Sequence, residues 1–176
     1  MEIFEAIAKR YSYRGGYTEA DVAREDLRKI VQAGIQAPSG CNAQTTSFVM
    51  VDDPDLIAKI ATVIDRPFVF SARAMIVCVV DHRPVYQDKS FAAEDCAAAV
   101  ENMYLAIAAL GYATVWLDGV LRSEGKAARI AELLGVPRHL EVRIVLPLGV
   151  PKEPGEPREK KPFAERASFN RYGQSG

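Results

Sequence analysis

Apolar positions along the chain alternate between helical and strand spacing, and that alternation predicts the elements. Ile3, Phe4, Ile7 and Ala8 recur at helical spacing, so a short helix opens the chain. Residues 24–36 place Leu27, Ile30, Val31 and Ile35 on one face of a second helix. Ser47–Val51 reads as a strand, closed by Asp52-Asp53-Pro54, which also starts a helix over about 54–64: an acidic cap, then proline in the first turn. Ala74–Val80 is an unbroken apolar run rich in β-branched residues, suited to a sheet centre. A long alanine-rich helix over about 90–110 follows, closed by Gly111 as a left-handed cap; its small residues permit close packing on several sides. Thr114–Leu117 predicts a strand, Lys126–Leu134 a helix and Val142–Val150 a last strand. Two helices precede the first strand and a long helix interrupts the strands, so the order predicts an α+β fold rather than a regular βαβ repeat.

From Pro151 onward the pattern changes. Pro151, Pro154, Pro157 and Pro162 stand among charged residues, so this segment predicts an extended arm without a helix or central strand of its own. It ends in Phe163, Phe169 and Tyr172, aromatics that suit docking on a partner subunit; a frayed tail is the alternative.

Composition narrows the class. The chain of 176 residues fits one domain, and its 49% hydrophobic and 26% charged content is ordinary for a globular protein. A net charge of −1 lacks the basic excess of a general nucleic-acid binder. Cys41, Cys78 and Cys96 are widely spaced with no paired motif, which argues against a disulfide framework or zinc site and for a reducing cytoplasm. The N-terminus is too charged for a signal peptide, and the longest apolar run, Met103–Leu110, falls far short of the roughly 20 residues that span a bilayer.

Conventional catalytic sets are thin. His82 and His139 are the only histidines, and glycine-rich nucleotide loops and the Gly-x-Ser-x-Gly elbow are missing. Four polar segments remain. Arg10, Ser12 and Arg14 fall at alternate positions, so an extended backbone would aim two guanidiniums and a hydroxyl to one side, which suits a phosphate; a solvated basic edge is the alternative. Pro38-Ser39-Gly40-Cys41-Asn42-Ala43-Gln44 offers the amides of Asn42 and Gln44 together, matching a heterocycle edge that alternates N–H and C=O, with Gly40 expected to supply an unusual backbone turn. An ordinary turn explains the same residues. Trp116-Leu117-Asp118-Gly119 closes a strand, and Arg158-Glu159-Lys160-Lys161 is a basic cluster in the arm; a plain turn and a solvated loop are their alternatives.

Together, in this order and spacing, these segments resemble the FMN-dependent nitroreductase family over nearly the whole chain. The likeness extends to Ala-Leu-Gly-Tyr-Ala-Thr at the end of the long helix, Leu-Gly-Val-Pro at the end of the last strand, and Lys-Lys-Pro-Phe-Ala-Glu-Arg in the arm. The resemblance implies a mainly antiparallel sheet flanked by helices, and an intertwined homodimer with FMN at the interface and the arm of residues 151–176 exchanged. It also implies that Arg10 and Ser12 hold the FMN phosphate, with Lys160 or Lys161 returning to it, and that Arg14 reaches the ribityl and pyrimidine side. Asn42 and Gln44 would meet the polar edge of the isoalloxazine, and Asp118 and Gly119 would form the strand-end segment whose backbone N–H faces flavin N5; Pro38, Ser39, Trp116 and Leu117, beside them, would also bind the cofactor. No side chain acts as general base in that scheme; NADH or NADPH would reduce the flavin, which would then reduce a nitroaromatic, quinone or similar acceptor by a ping-pong route.

Several positions depart from the family pattern. Tyr11 stands where Arg or His is frequent, Gly15-Gly16 where a bulky apolar residue is common, Cys41 for a commoner Gly or Ser, and Thr45-Thr46 for a frequent Pro-aromatic pair. The region 65–88, where longer members carry substrate-covering helices, is compact, leaving Phe68, Phe70 and Tyr86 as pocket candidates by position. Two other functions stay open at this level: a flavin-storage or electron-transfer protein without small-molecule turnover, and a structural homodimer that has lost FMN.

Overall fold

The computed structural model describes residues 1–174. Its elements run α1 (Ile3–Lys9), α2 (Arg24–Ile35), β1 (Thr46–Val51), α3 (Pro54–Ile64), β2 (Ala74–Asp81), α4 (Ala92–Ala109), β3 (Ala113–Thr114), α5 (Lys126–Leu134), β4 (Leu140–Gly149) and α6 (Phe163–Arg166). The expected elements form within a residue or two of their expected ends, with two exceptions. The arm makes a one-turn helix, α6, after Pro162, and the strand expected at Thr114–Leu117 is interrupted.

All strands pair antiparallel in the order β1-β2-β4-β3. Local chemistry sets the boundaries. Asp53 caps α3 by accepting from the Leu56 N–H at 2.9 Å, with Pro54 in the first turn. Gly111 follows α4 with a φ of +82°, a conformation that residues with a side chain adopt only under strain.

β2 is the centre of the sheet and is buried along nearly its whole length. Met75, Val77 and Val79 face a layer that includes Ile57 and Ile60 of α3 and Ile130 of α5. Ala74, Ile76, Cys78 and Val80 face Leu27 and Ile30 of α2 and Cys96, Val100 and Met103 of α4. That two-faced burial explains why β2 has no polar alternation.

Two irregularities prepare the functional region. Between β2 and β4 the register jumps from Cys78↔Ile144 to Val79↔Val142, leaving Arg143 as the extra residue of a β-bulge. The β3–β4 register continues past Thr114 to a single bridge at Leu117↔Val145, where both N–H groups donate across the pair. At that register Val115 lies opposite Pro147, which has no N–H to offer, so the ladder lapses there.

The arm begins on its own chain. Lys152 N–H donates to Gly16 O at 2.9 Å, Pro151 bridges Tyr17, and Gly155 N–H donates to the Tyr11 hydroxyl at 3.3 Å. Beyond it Phe163, Phe169 and Tyr172 are exposed, as are Ile3, Phe4 and Ile7 along α1.

Candidate functional site

Residues 10–14 are extended after α1, and their sides divide by burial. Tyr13 is buried, with its N–H donating to Thr114 O at 2.8 Å, while Ser12 and Arg14 are exposed and Arg10 is half-buried. Arg10, Ser12 and Arg14 thus share one cleft, which the intervening Tyr11 also lines. The cleft measures about 690 Å³, and its opposite wall is the arm, through Glu156, Pro157, Arg158 and Lys160. Four cations and a hydroxyl thus face one carboxylate. Lys161 is not on this wall; its ammonium lies 3.3 Å from Glu165.

One edge of the Arg10 guanidinium meets Glu101 of α4 at 3.2 Å, but its Nε is buried without a hydrogen-bond partner. A buried unpaired donor costs free energy, so an acceptor supplied by a ligand would stabilise this arrangement. The donor set fits a phosphate, which takes several charge-assisted hydrogen bonds at once.

The second segment lies at the other end of α4. Residues Gly40–Asn42 form a 3-10 turn, and Cys41, Asn42 and Gln44 adopt left-handed φ angles of +53°, +52° and +51°. This corrects the role expected of Gly40. Its backbone is unremarkable, and its lack of a side chain matters because a Cβ would lie 2.3 Å from the Phe91 ring. The unusual backbone is carried by residues that have side chains, at a cost of order 1 kcal/mol each, which surrounding contacts must offset.

Those contacts come from Asp95, buried in the first turn of α4. It accepts from Gly40 N–H at 2.8 Å and from the Thr45 hydroxyl at 2.8 Å, clamping the loop at both ends. The Ser39 hydroxyl accepts from Gln44 N–H at 3.1 Å, and Arg83 donates to Ala43 O at 2.7 Å. Asn42 and Gln44 are held outward and exposed, as is Pro38, with Ser39 half-buried. Pro38, Ser39 and Gln44 border a second cleft of about 490 Å³, walled by Ile35, Phe48, Met50 and Ala99.

At the third segment, Trp116 is half-buried beside Tyr104, and Leu117 is a core residue whose N–H is spent on Val145. The Asp118 carboxylate is also committed, to Arg122 at 2.6 Å and to the bulged Arg143 at 3.0 Å. Gly119 is exposed, and a Cβ there would meet nothing within 4 Å. The open part of this strand end is therefore its backbone at Gly119.

One chain brings together the Arg10–Arg14 segment and Lys160. It does not bring them into one cleft with Pro38–Gln44: the two regions contact α4 near Tyr104 and Asp95, nine residues or about 14 Å apart along the helix. Asp95, Tyr104 and Tyr11 escape a reading of the sequence, because each acts through a partner remote in the chain.

The nitroreductase family model matches residues 7–75 and 61–150. The chain belongs to the nitroreductase family. It is 34% identical over 157 residues to an Archaeoglobus fulgidus protein named as an NADH dehydrogenase/NAD(P)H nitroreductase, spanning 86% of this chain and 87% of that one. The NADPH:FMN oxidoreductase of Vibrio harveyi, solved with NAD+, superposes with a TM-score of 0.83 at 25% identity, over 99% of this chain and 79% of the other. A crystal structure from Bacteroides thetaiotaomicron shares the fold at a TM-score of 0.85 and 24% identity, over 97% and 98% of the two chains. Among the described residues no helix is long and apolar enough to cross a membrane.

Proposed function

We propose that this nitroreductase-family protein is an NAD(P)H-dependent oxidoreductase that uses FMN to reduce small acceptors such as quinones or nitroaromatics, by a ping-pong route in the cytoplasm. The observation that carries the reading is the cleft where Arg10, Ser12, Arg14 and Lys160 converge around a buried, unpartnered Arg10 Nε. Bound there, FMN supplies two-electron transfer between a nicotinamide and an acceptor.

The chain's own residues then bind and orient. Arg10 and Lys160 would neutralise the phosphate, Ser12 would hydrogen-bond to it, and Arg14 would reach toward the pyrimidine. Asn42 and Gln44, with Pro38 and Ser39, meet the heterocycle's polar edge, and the backbone at Gly119 leaves the strand end open to it. Since these segments do not share a cleft within one chain, the site is completed in a homodimer, with FMN at the interface. The uncovered Ile3, Phe4 and Ile7 and the aromatics of the arm support that assembly, because exposed apolar side chains in such number favour a partner surface. Phe70 and Tyr86, both about half exposed, are candidates to meet the acceptor; Phe68 packs against the core.

The test is an absorption spectrum of the purified protein, before and after anaerobic NADH and then NADPH. A yellow protein bleached by either donor supports the reading and gives the donor preference. A yellow protein bleached by neither favours a flavin carrier or an electron-transfer protein. A colourless protein that refuses added FMN overturns the cofactor and its binding residues together.

A further inference from the structure

Tyr104 lies on α4 where the helix passes beneath Arg10. The residue is 3% exposed, and its hydroxyl is buried without a hydrogen-bond partner. The Arg10 guanidinium carbon sits 5.8 Å from the centre of its ring, and the Trp116 ring is 6.4 Å away. Burial pushes the phenol up to about 12, partly opposed by the nearby Ser12 hydroxyl, the Arg10 charge, the Trp116 backbone N–H and the Arg14 charge, although neither Ser12 nor Trp116 forms a well-aligned hydrogen bond with it. The group therefore stays protonated and remains a donor at neutral pH.

A phenol at this position is unnecessary for packing, because a phenylalanine would fill the same space without stranding a hydroxyl. Two buried donors, Arg10 Nε and Tyr104 Oη, stand unpaired on adjacent side chains, with Ser12 and Arg14 close to the phenol. Tyr104 lines a cleft of about 420 Å³ that shares Arg10 and Tyr11 with the cationic cleft, so an oxyanion held deep against Arg10 is the acceptor that this corner lacks.

We infer that the Tyr104 hydroxyl is a further binding group for the cofactor phosphate, donating a hydrogen bond from beneath the anion that Arg10 and Ser12 hold. This rests on the FMN reading above. It makes Tyr104 a residue that favours FMN over riboflavin, which has the same ring system and lacks the phosphate.

The test is Tyr104→Phe in the full-length chain. Quenching of flavin fluorescence gives the affinities for FMN and riboflavin, the melting temperature is measured on flavin-free protein, and the 31P resonance is recorded for bound FMN. Affinity for FMN should fall about tenfold or more, as for loss of a hydrogen bond to a charged group, with riboflavin affinity within about twofold. The flavin-free variant should melt at the same temperature or higher, and the bound phosphorus resonance should shift. Unchanged FMN affinity overturns the inference and leaves the FMN reading standing. Equal losses for FMN and riboflavin, or a lowered flavin-free melting temperature, assign Tyr104 to packing and overturn it too. Wild-type protein without preference for FMN over riboflavin overturns the phosphate reading itself, and Tyr104 with it.

Discussion

Replacing Asp95 with alanine should release the loop that carries Asn42 and Gln44, and the expected cost can be worked from the geometry. The carboxylate accepts two hydrogen bonds of 2.8 Å, from Gly40 N–H and the Thr45 hydroxyl, and the residue is 6% exposed. Hydrogen bonds to a charged group contribute about 1.5–3 kcal/mol each, and both are lost. Removing a buried charge returns part of that, because the carboxylate no longer has to be desolvated. A net loss of about 2–4 kcal/mol follows, within the range of the larger single-site effects. Asp95→Asn should cost only about 1 kcal/mol, since the amide oxygen still accepts from Gly40 while its nitrogen donates to Thr45. Urea unfolding monitored by circular dichroism gives both values, provided the slope m is unchanged. Hydrogen exchange should show the Gly40 amide losing protection in the alanine variant before global unfolding. Thr45→Val should add little in the Asp95→Ala background, because its partner is already gone. An alanine variant that loses less than about 1 kcal/mol, or an asparagine variant as weak as alanine, would refute the clamp.

Gly40→Ala places a Cβ 2.3 Å from the Phe91 ring, so stability should fall by about 1–3 kcal/mol, and pairing it with Phe91→Leu should recover part of the loss in the same urea assay. Lys160→Ala should weaken FMN binding about tenfold and Lys161→Ala less than about threefold, since only Lys160 lines the cationic cleft; flavin fluorescence titration separates them. Tyr104 also contributes to an alkaline limit, beside Tyr17, whose phenol is pushed up further still by burial. The folded-state value of Tyr104 near 12 lies above the ordinary 10, so the unfolded chain gives up that proton first, and stability is lost as pH rises through this window. Melting temperatures measured from pH 9 to 11.5 should fall less steeply in Tyr104→Phe than in wild type.

What the sequence shows and what it hides divide by how far apart the cooperating residues lie. Helix ends are legible because their signals are local: Asp53-Pro54 opens α3, and Gly111 follows α4. The alternation of Arg10, Ser12 and Arg14 is equally local, and burial of the intervening Tyr13 turns it into a real face. The lapse in the β3–β4 ladder is not legible, because it requires knowing that Pro147 comes opposite Val115. The turn at residues 39–45 misleads for the same reason. Glycine is the natural candidate for an unusual φ, but Gly40 is small because Phe91 arrives from another element, and Asp95, 55 residues from Gly40, holds the side-chain-bearing residues in left-handed conformations. Tyr104 sits in an alanine-rich helix and is buried like a packing residue, from which only the unpaired hydroxyl distinguishes it. Tyr11 completes the pattern: its hydroxyl accepts from Gly155 and its ring occupies the space a Gly155 side chain would need, so the arm returns past Arg10 and brings Lys160 to the cleft. A substitution there should act first on the path of the arm and only through it on Lys160, which ties a departure from the family pattern to the placement of a cation in the cleft.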